Sequence, residues 1–228
     1  MQQNRKDDGE TEENPTHHSS LDPDTLPRCL IAWTCRQIPP ISVSFSAKGI
    51  VNVTISMHQA SVGVFTHFLN SLSDLLDLAA AHAENRKIDP AILLNARLYP
   101  NMYNLIRQVG ESKRHAVTAC ALLAGIDPPA FSETEPDIAE LKARIATAKD
   151  FMANIPASQI DGTEEKGIVF TFRNGRTRQF TGQSLLLTFS VPQFFFHVTT
   201  AYDILRHCGV ELAKRDFLGK PDQAVRRA

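Results

Sequence analysis

The chain has 228 residues, of which 43% are hydrophobic, and a formal net charge of −1. That length and apolar content suit one domain with an appendage and are enough for a real core. The near-neutral balance supplies no global field for gripping nucleic acid or anionic lipid, so partners of those two classes are not expected.

No apolar run reaches the roughly 18 residues that a membrane span requires, and the acidic N-terminus is unlike a secretory signal. Cys29, Cys35, Cys120 and Cys208 follow neither disulfide-framework nor zinc-ribbon spacing. A reducing, cytoplasmic compartment is the expectation. Residues 1–26, "MQQNRKDDGETEENPTHHSSLDPDTL", are charged and nearly free of aliphatics. Such a stretch buries too little surface to offset its ordering entropy, so disorder is expected, with His17 and His18 incidental. Residues 27–52 are more apolar, with Trp33 in "CLIAWTC", but show no sustained period. Order is expected from "VNVTISMHQAS" onward, and Val51 or Val53 is a candidate valine-type start of translation. A peptide spanning residues 1–51 in the native protein would refute that start. The chain thus divides into an extension over 1–52, a folded domain over 53–219 and a short tail over 220–228.

The first helix carries a capping-box signature, Ser56-x-x-Gln59. Phe65, Phe68, Leu69, Leu72, Leu75, Leu76 and Ala79 then recur at three and four residues, which predicts an amphipathic helix over 57–84. "KIDPAILLNARLYP" reads as a connector with a helical turn after Pro90. A second helix follows Pro100, burying Met102, Leu105, Ile106, Val109, Ala116, Ala119, Cys120 and Leu123 and stopping at Gly125. Ser132-x-x-Glu135 is another capping box, before a third helix with Ile138, Leu141, Ile145, Ala148 and Met152 inward, ended before Pro156. In "GIVFTFRNGRTRQFTG", Asn174-Gly175 between β-rich flanks predicts a hairpin with a type I′ turn. Arg173, Arg176 and Arg178 at its tip read as a solvated turn rather than an anion grip. The last helix covers 183–207, with Pro192 expected to kink it or to divide it into two abutting helices. Four helices with a hairpin inserted before the last predict an all-α, four-helix bundle with one longer crossover.

His197 and His207 lie about 15 Å apart along a straight helix and roughly 80° apart in direction, so they cannot share an ion. The i+4 partner of His197 is Ala201, and no HxxxH occurs in the chain. His197 does share a face with Ala201, Ile204 and Cys208, so it points inward and needs a partner from another helix. The second helix offers a polar stripe, Gln108, Ser112, His115 and Ala119. With Tyr202 added from the last helix, these define a candidate ligand pocket: Gln108, Ser112, His115, His197 and Tyr202. His58 leads the first-helix series Phe65, Leu72, Ala79, so His58, His115 and His197 form a candidate three-histidine metal set. His67 and His82 read as solvent-facing. Cys120 and Cys208 sit on apolar faces, where a thiol is inert. There is no G-x-S-x-G elbow, P-loop or G-x-G-x-x-G.

"TISMHQASV", "KIDPAILLNARLYPNM", "FFFHVTTAYDILRHCGVEL" and "KRDFLG" together resemble the bacterial DUF1993 family over about 53–219. That family is similar in fold to DinB/YfiT-like four-helix bundles, a group read as metalloenzymes. The resemblance implies a DinB-like bundle and a homodimer. DinB-like members hold a divalent ion through one second-helix histidine and an HxxxH pair on the last helix, and some are metal-dependent thiol transferases. By that resemblance His197 matches the first histidine of the pair and His115 stands near the second-helix ligand, but the third position is Ala201, leaving His58 as the one replacement. Three readings follow. The first is a small-molecule pocket without a complete metal triad. The second is a divalent-metal transferase or hydrolase using zinc, nickel or iron, and the third is a structural dimerisation module.

Overall fold

The computed structural model describes residues 55–130 and 137–220. The expected disordered extension, the candidate start of translation, the Ser132–Glu135 capping box and residues 221–228 of the tail lie outside them.

Ser56 opens the first rod: its Oγ accepts the Gln59 N–H at 3.2 Å, half of the predicted capping box. A π-helical turn, Gln59–Gly63, leads into helix α1, Val64–Arg86. Phe65, Leu69, Leu72, Leu75, Leu76 and Ala79 are all fully buried, as the three-and-four spacing requires. Asp89 then caps a short helix α2, Pro90–Asn95, by accepting the Ala91 N–H, with Pro90 at the position where a missing N–H costs nothing.

The second long helix, α3, is Leu105–Ala124. It begins later than the sequence predicts, because Asn104 accepts the Arg107 N–H and fixes the start there, leaving Met102 half-buried in the preceding turn. Gly125, at φ 76°, closes it in a left-handed conformation that a β-carbon would strain. Helix α4, Ile138–Ala153, is capped by Asp137 and buries Ile138, Leu141, Ile145, Ala148 and Met152. A single turn, α5, Ala157–Ile160, follows.

Strands β1, Gly167–Thr171, and β2, Thr177–Thr181, pair antiparallel. The predicted type I′ turn is not what joins them. That turn needs positive φ at both central residues, and of Asn174 and Gly175 only Gly175 has it. Instead the Gly175 N–H reaches the Phe172 carbonyl at 2.9 Å and the Phe172 N–H reaches the Arg176 carbonyl at 2.8 Å, the pattern of a three-residue loop closed by a glycine bulge.

Thr181 caps a helical turn, α6, Gly182–Ser184. A π-helical stretch, Leu185–Ser190, then joins it to α7, Val191–His207. Pro192 therefore does not divide the rod into two helices. The Val191 N–H bonds back five residues to the Leu186 carbonyl, and this wider winding makes room for the proline ring and its missing donor. A last turn, α8, Lys214–Leu218, is tied to α1 by His67, whose Nε2 lies 2.7 Å from the Leu218 carbonyl. His67 is thus engaged and half-buried rather than solvent-facing.

The four long helices enclose one core. α3 lies along α7 and α4, and α1 along α4 and α7. The first and second long helices therefore face each other across one diagonal and α4 and α7 across the other, so the connector containing α2 and the longer one containing the hairpin both cross the bundle, where the sequence predicts one crossover. Phe65 of α1 meets Phe194 of α7 edge-on at 4.9 Å at the centre.

Candidate functional site

Gln108, Glu111 and His115 stand at i, i+3 and i+7 on α3, one face of a helix, and Gln193 and His197 stand at i and i+4 on α7. The hairpin covers this pair of faces. Its inner residues Phe170, Phe172 and Phe180 pack on Phe189 at 4.9, 5.9 and 5.3 Å, and Phe189 lies 6.1 Å edge-on from His115. The π-helical stretch is what places Phe189 between hairpin and imidazole. A cavity of about 460 Å³ results, lined by Tyr103, Glu111, Arg114, His115, Arg173 and His197 together with Phe170 and Phe172 of the hairpin. Larger hollows of about 730 and 570 Å³ exist beside α1. The smaller one is preferred because the buried polar groups converge there.

The Glu111 carboxylate is ringed by guanidinium groups. Arg114 grips Oε2 through both Nε, at 2.8 Å, and Nη2. Arg173, from the hairpin loop, places Nη2 3.4 Å from Oε1. Arg107 Nε lies 3.0 Å from Oε1, with its N–H turned off that line, so this contact is an ion pair rather than a hydrogen bond. Burial pushes the Glu111 pKa up, but the bond from Arg114 and the charges of Arg114, Arg173 and Arg107 outweigh it and hold the pKa below the ordinary value.

The imidazoles of His115 and His197 lie nearly parallel, with ring centres 5.5 Å apart. Burial is the main reason that His115 is pushed down to about 3, helped by Arg114 and by His197 itself. His197 is pushed down to about 4, again chiefly by burial, with Glu111 working in the opposite direction. Both are neutral at neutral pH. His197 Nδ1 sits 2.7 Å from Gln108 Oε1, and Gln108 Nε2 donates to the Tyr103 carbonyl at 3.2 Å.

Of the five residues predicted to form the pocket, His115 and His197 line the cavity and Gln108 backs His197. Ser112 is fully buried, with its hydroxyl donating to the Val109 carbonyl of its own helix at 2.8 Å. Tyr202 is elsewhere, its ring packed on Phe217 at 5.6 Å. In the predicted metal set, His115 and His197 meet and His58 does not join them. His58 lines the 570 Å³ hollow on the α1 side, and its backbone N–H donates to Asp161 Oδ1 at 2.8 Å. The third member of the cluster is Glu111, which the search for HxxxH passed over. Its signal was Glu111-x-x-x-His115, a carboxylate and an imidazole one helical turn apart. Arg173 was also missed, since its role depends on where the hairpin docks. Cys120 is buried, with its thiol pushed up to about 12 by burial, consistent with an inert core residue.

Among the described residues, Glu111, His115 and His197 are the group whose possible ligand atoms all lie within 4.8 Å of one another. Two donors each about 2.0–2.2 Å from one ion stand at most about 4.4 Å apart, a separation that lies inside this bound. Both carboxylate oxygens also face guanidinium groups, which would have to release Glu111 and tolerate a divalent cation beside them. A resident metal at these three residues would therefore have to displace the guanidinium groups from Glu111.

The fold is that of a DinB-like helical bundle. A crystal structure of a DinB family member protein from Shewanella denitrificans matches with a TM-score of 0.67 and 34% sequence identity, over 73% of this chain and 94% of that one. The profile of a domain of unknown function, DUF1993, matches residues 57–218, and the chain belongs to that family. A comparison with curated proteins finds no match.

Proposed function

We propose that this protein binds a small organic anion with an apolar body in the cavity beneath the hairpin. One observation carries the reading: among the described residues, the guanidinium groups of Arg107, Arg114 and Arg173 gather about one buried carboxylate beside two uncharged imidazoles, in a partly desolvated site. The charged end of a ligand would face Arg114 and Arg173, and its body would lie against Phe170, Phe172 and Phe189. A volume near 460 Å³ suits a molecule of small-metabolite size.

The test is thermal denaturation against a panel of aliphatic and aromatic carboxylates. Ligand at about 100 times its Kd should add roughly 2.7 kcal/mol of stability. Flat melting temperatures at millimolar ligand would count decisively against the reading.

A divalent-metal transferase or hydrolase is the rival, favoured by the closeness of Glu111, His115 and His197. It requires the arginines to let Glu111 go. Metal analysis of purified protein separates the two: stoichiometric zinc, nickel or iron, lost on His197→Ala, supports the rival. Cytoplasmic location and a homodimer belong to the same proposal, and light scattering tests the dimer. If His197→Ala alters stability and no binding, the bundle serves only as a dimerisation module.

A further inference from the structure

We propose, resting on the binding reading above, that Gln108 is a positioning residue that fixes the tautomer of His197, so that the cavity presents an unprotonated Nε2 and selects organic anions carrying a hydroxyl donor beside the charged group, as an α-hydroxy acid does.

The chain of reasoning begins at a backbone carbonyl. The Tyr103 oxygen can only accept, so the Gln108 atom 3.2 Å from it must be the amide nitrogen. That settles which way the amide faces, and the oxygen is the atom turned to His197. An amide oxygen also only accepts, so His197 Nδ1 must carry the proton across the 2.7 Å contact. The imidazole is neutral, so Nε2 has no proton. His197 lines the cavity, and with Nδ1 committed to Gln108 the polar atom it offers a ligand is the Nε2 lone pair.

The two recognition elements are close. A ring nitrogen of His197 lies within 4.8 Å of a Glu111 oxygen. The arginines paired with that carboxylate are the groups that would meet the ligand's anion. One small ligand must therefore satisfy an acceptor and a cationic cluster across a short distance. A hydroxyl on the carbon next to a carboxylate does this. The same acid without the hydroxyl leaves Nε2 unpaired in a buried site, which is penalised more than a missing surface contact.

Two measurements on the full chain decide it. Nitrogen-15 spectra of labelled histidine, with His197→Asn used for assignment, should place His197 Nδ1 in the protonated class and Nε2 in the unprotonated class. Gln108→Leu should shift the ring toward the Nε2-protonated form, while Gln108→Glu, which keeps an acceptor at Nδ1, should restore the original tautomer. Affinity is compared for mandelate and phenylacetate, which differ only in the hydroxyl. Mandelate should bind about tenfold more tightly, and Gln108→Leu should abolish the difference. A protonated Nε2 in the wild type, or equal affinities, overturns the proposal. If neither acid binds, the binding reading fails and the selectivity claim falls with it, while the ring-nitrogen signals still decide the tautomer on their own.

Discussion

His115 and His197 are the two residues at which burial changes chemistry. Each has a native pKa below its unfolded value near 6.5, at about 3 and about 4. Between pH 6.5 and those values the unfolded chain binds protons that the native chain refuses, so stability rises with pH across that window and is lost as pH falls through it. His115→Asn should flatten the dependence between pH 6.5 and 5. Urea denaturation at the two pH values measures it, and an unchanged slope would mean that His115 titrates normally. Glu111 acts in the same direction but at lower pH, because its native pKa lies below the unfolded value of 4.5. Its stabilisation is present above that value and lost as pH falls through the native pKa. Glu111→Gln leaves Arg107, Arg114 and Arg173 without their shared carboxylate. The arginines are 24–50% exposed, so water softens the loss to about 1–3 kcal/mol by urea denaturation. The same substitution makes the cavity more positive, so anion affinity should rise while stability falls. A parallel drop in both would contradict the electrostatic account.

The hairpin is an element whose local signal and tertiary role diverge. Asn174-Gly175 marks the reversal, but the bulge at Gly175 sets how Arg173 leaves the loop toward Glu111. Arg176 and Arg178 remain exposed, as a solvated turn predicts, and Arg178 lies over the Phe180 ring at 4.9 Å. Arg173→Ala should release part of the docking while the phenylalanine contacts persist. Amides of β1 and β2 should exchange faster, with bundle stability changed by less than about 1 kcal/mol, and Arg176→Ala should do neither. Pro192 was legible as an irregularity in the last helix. Its resolution into π-helical winding was not, because kink, break and bulge all follow from one missing donor, and packing chooses among them. That choice carries Phe189 to the edge of His115.

At the scale of the molecule, the bundle holds together through a continuous interior in which Phe65 and Phe194 sit fully buried. Phe194→Ala should cost about 3–5 kcal/mol, measured by urea denaturation with all four long helices melting together. A smaller loss would mean that the core collapses around the vacancy. Among the described residues no helix is long and apolar enough to cross a membrane, and the match to the DUF1993 family covers most of the chain.

Helix number, their inward stripes, Gly125 as a stop and the inward turn of His197 follow from the order of residues alone, because amphipathic spacing and end signals act within a few residues along the chain. Only the packed structure could bring Gln108 to His197, 89 positions away, exchange His58 for Glu111 and send Tyr202 to another face. A ring of four helices has several orders with the same buried stripes. Which polar side chains meet depends on the order and depth of packing, and those are set by the summed fit of many side chains at once.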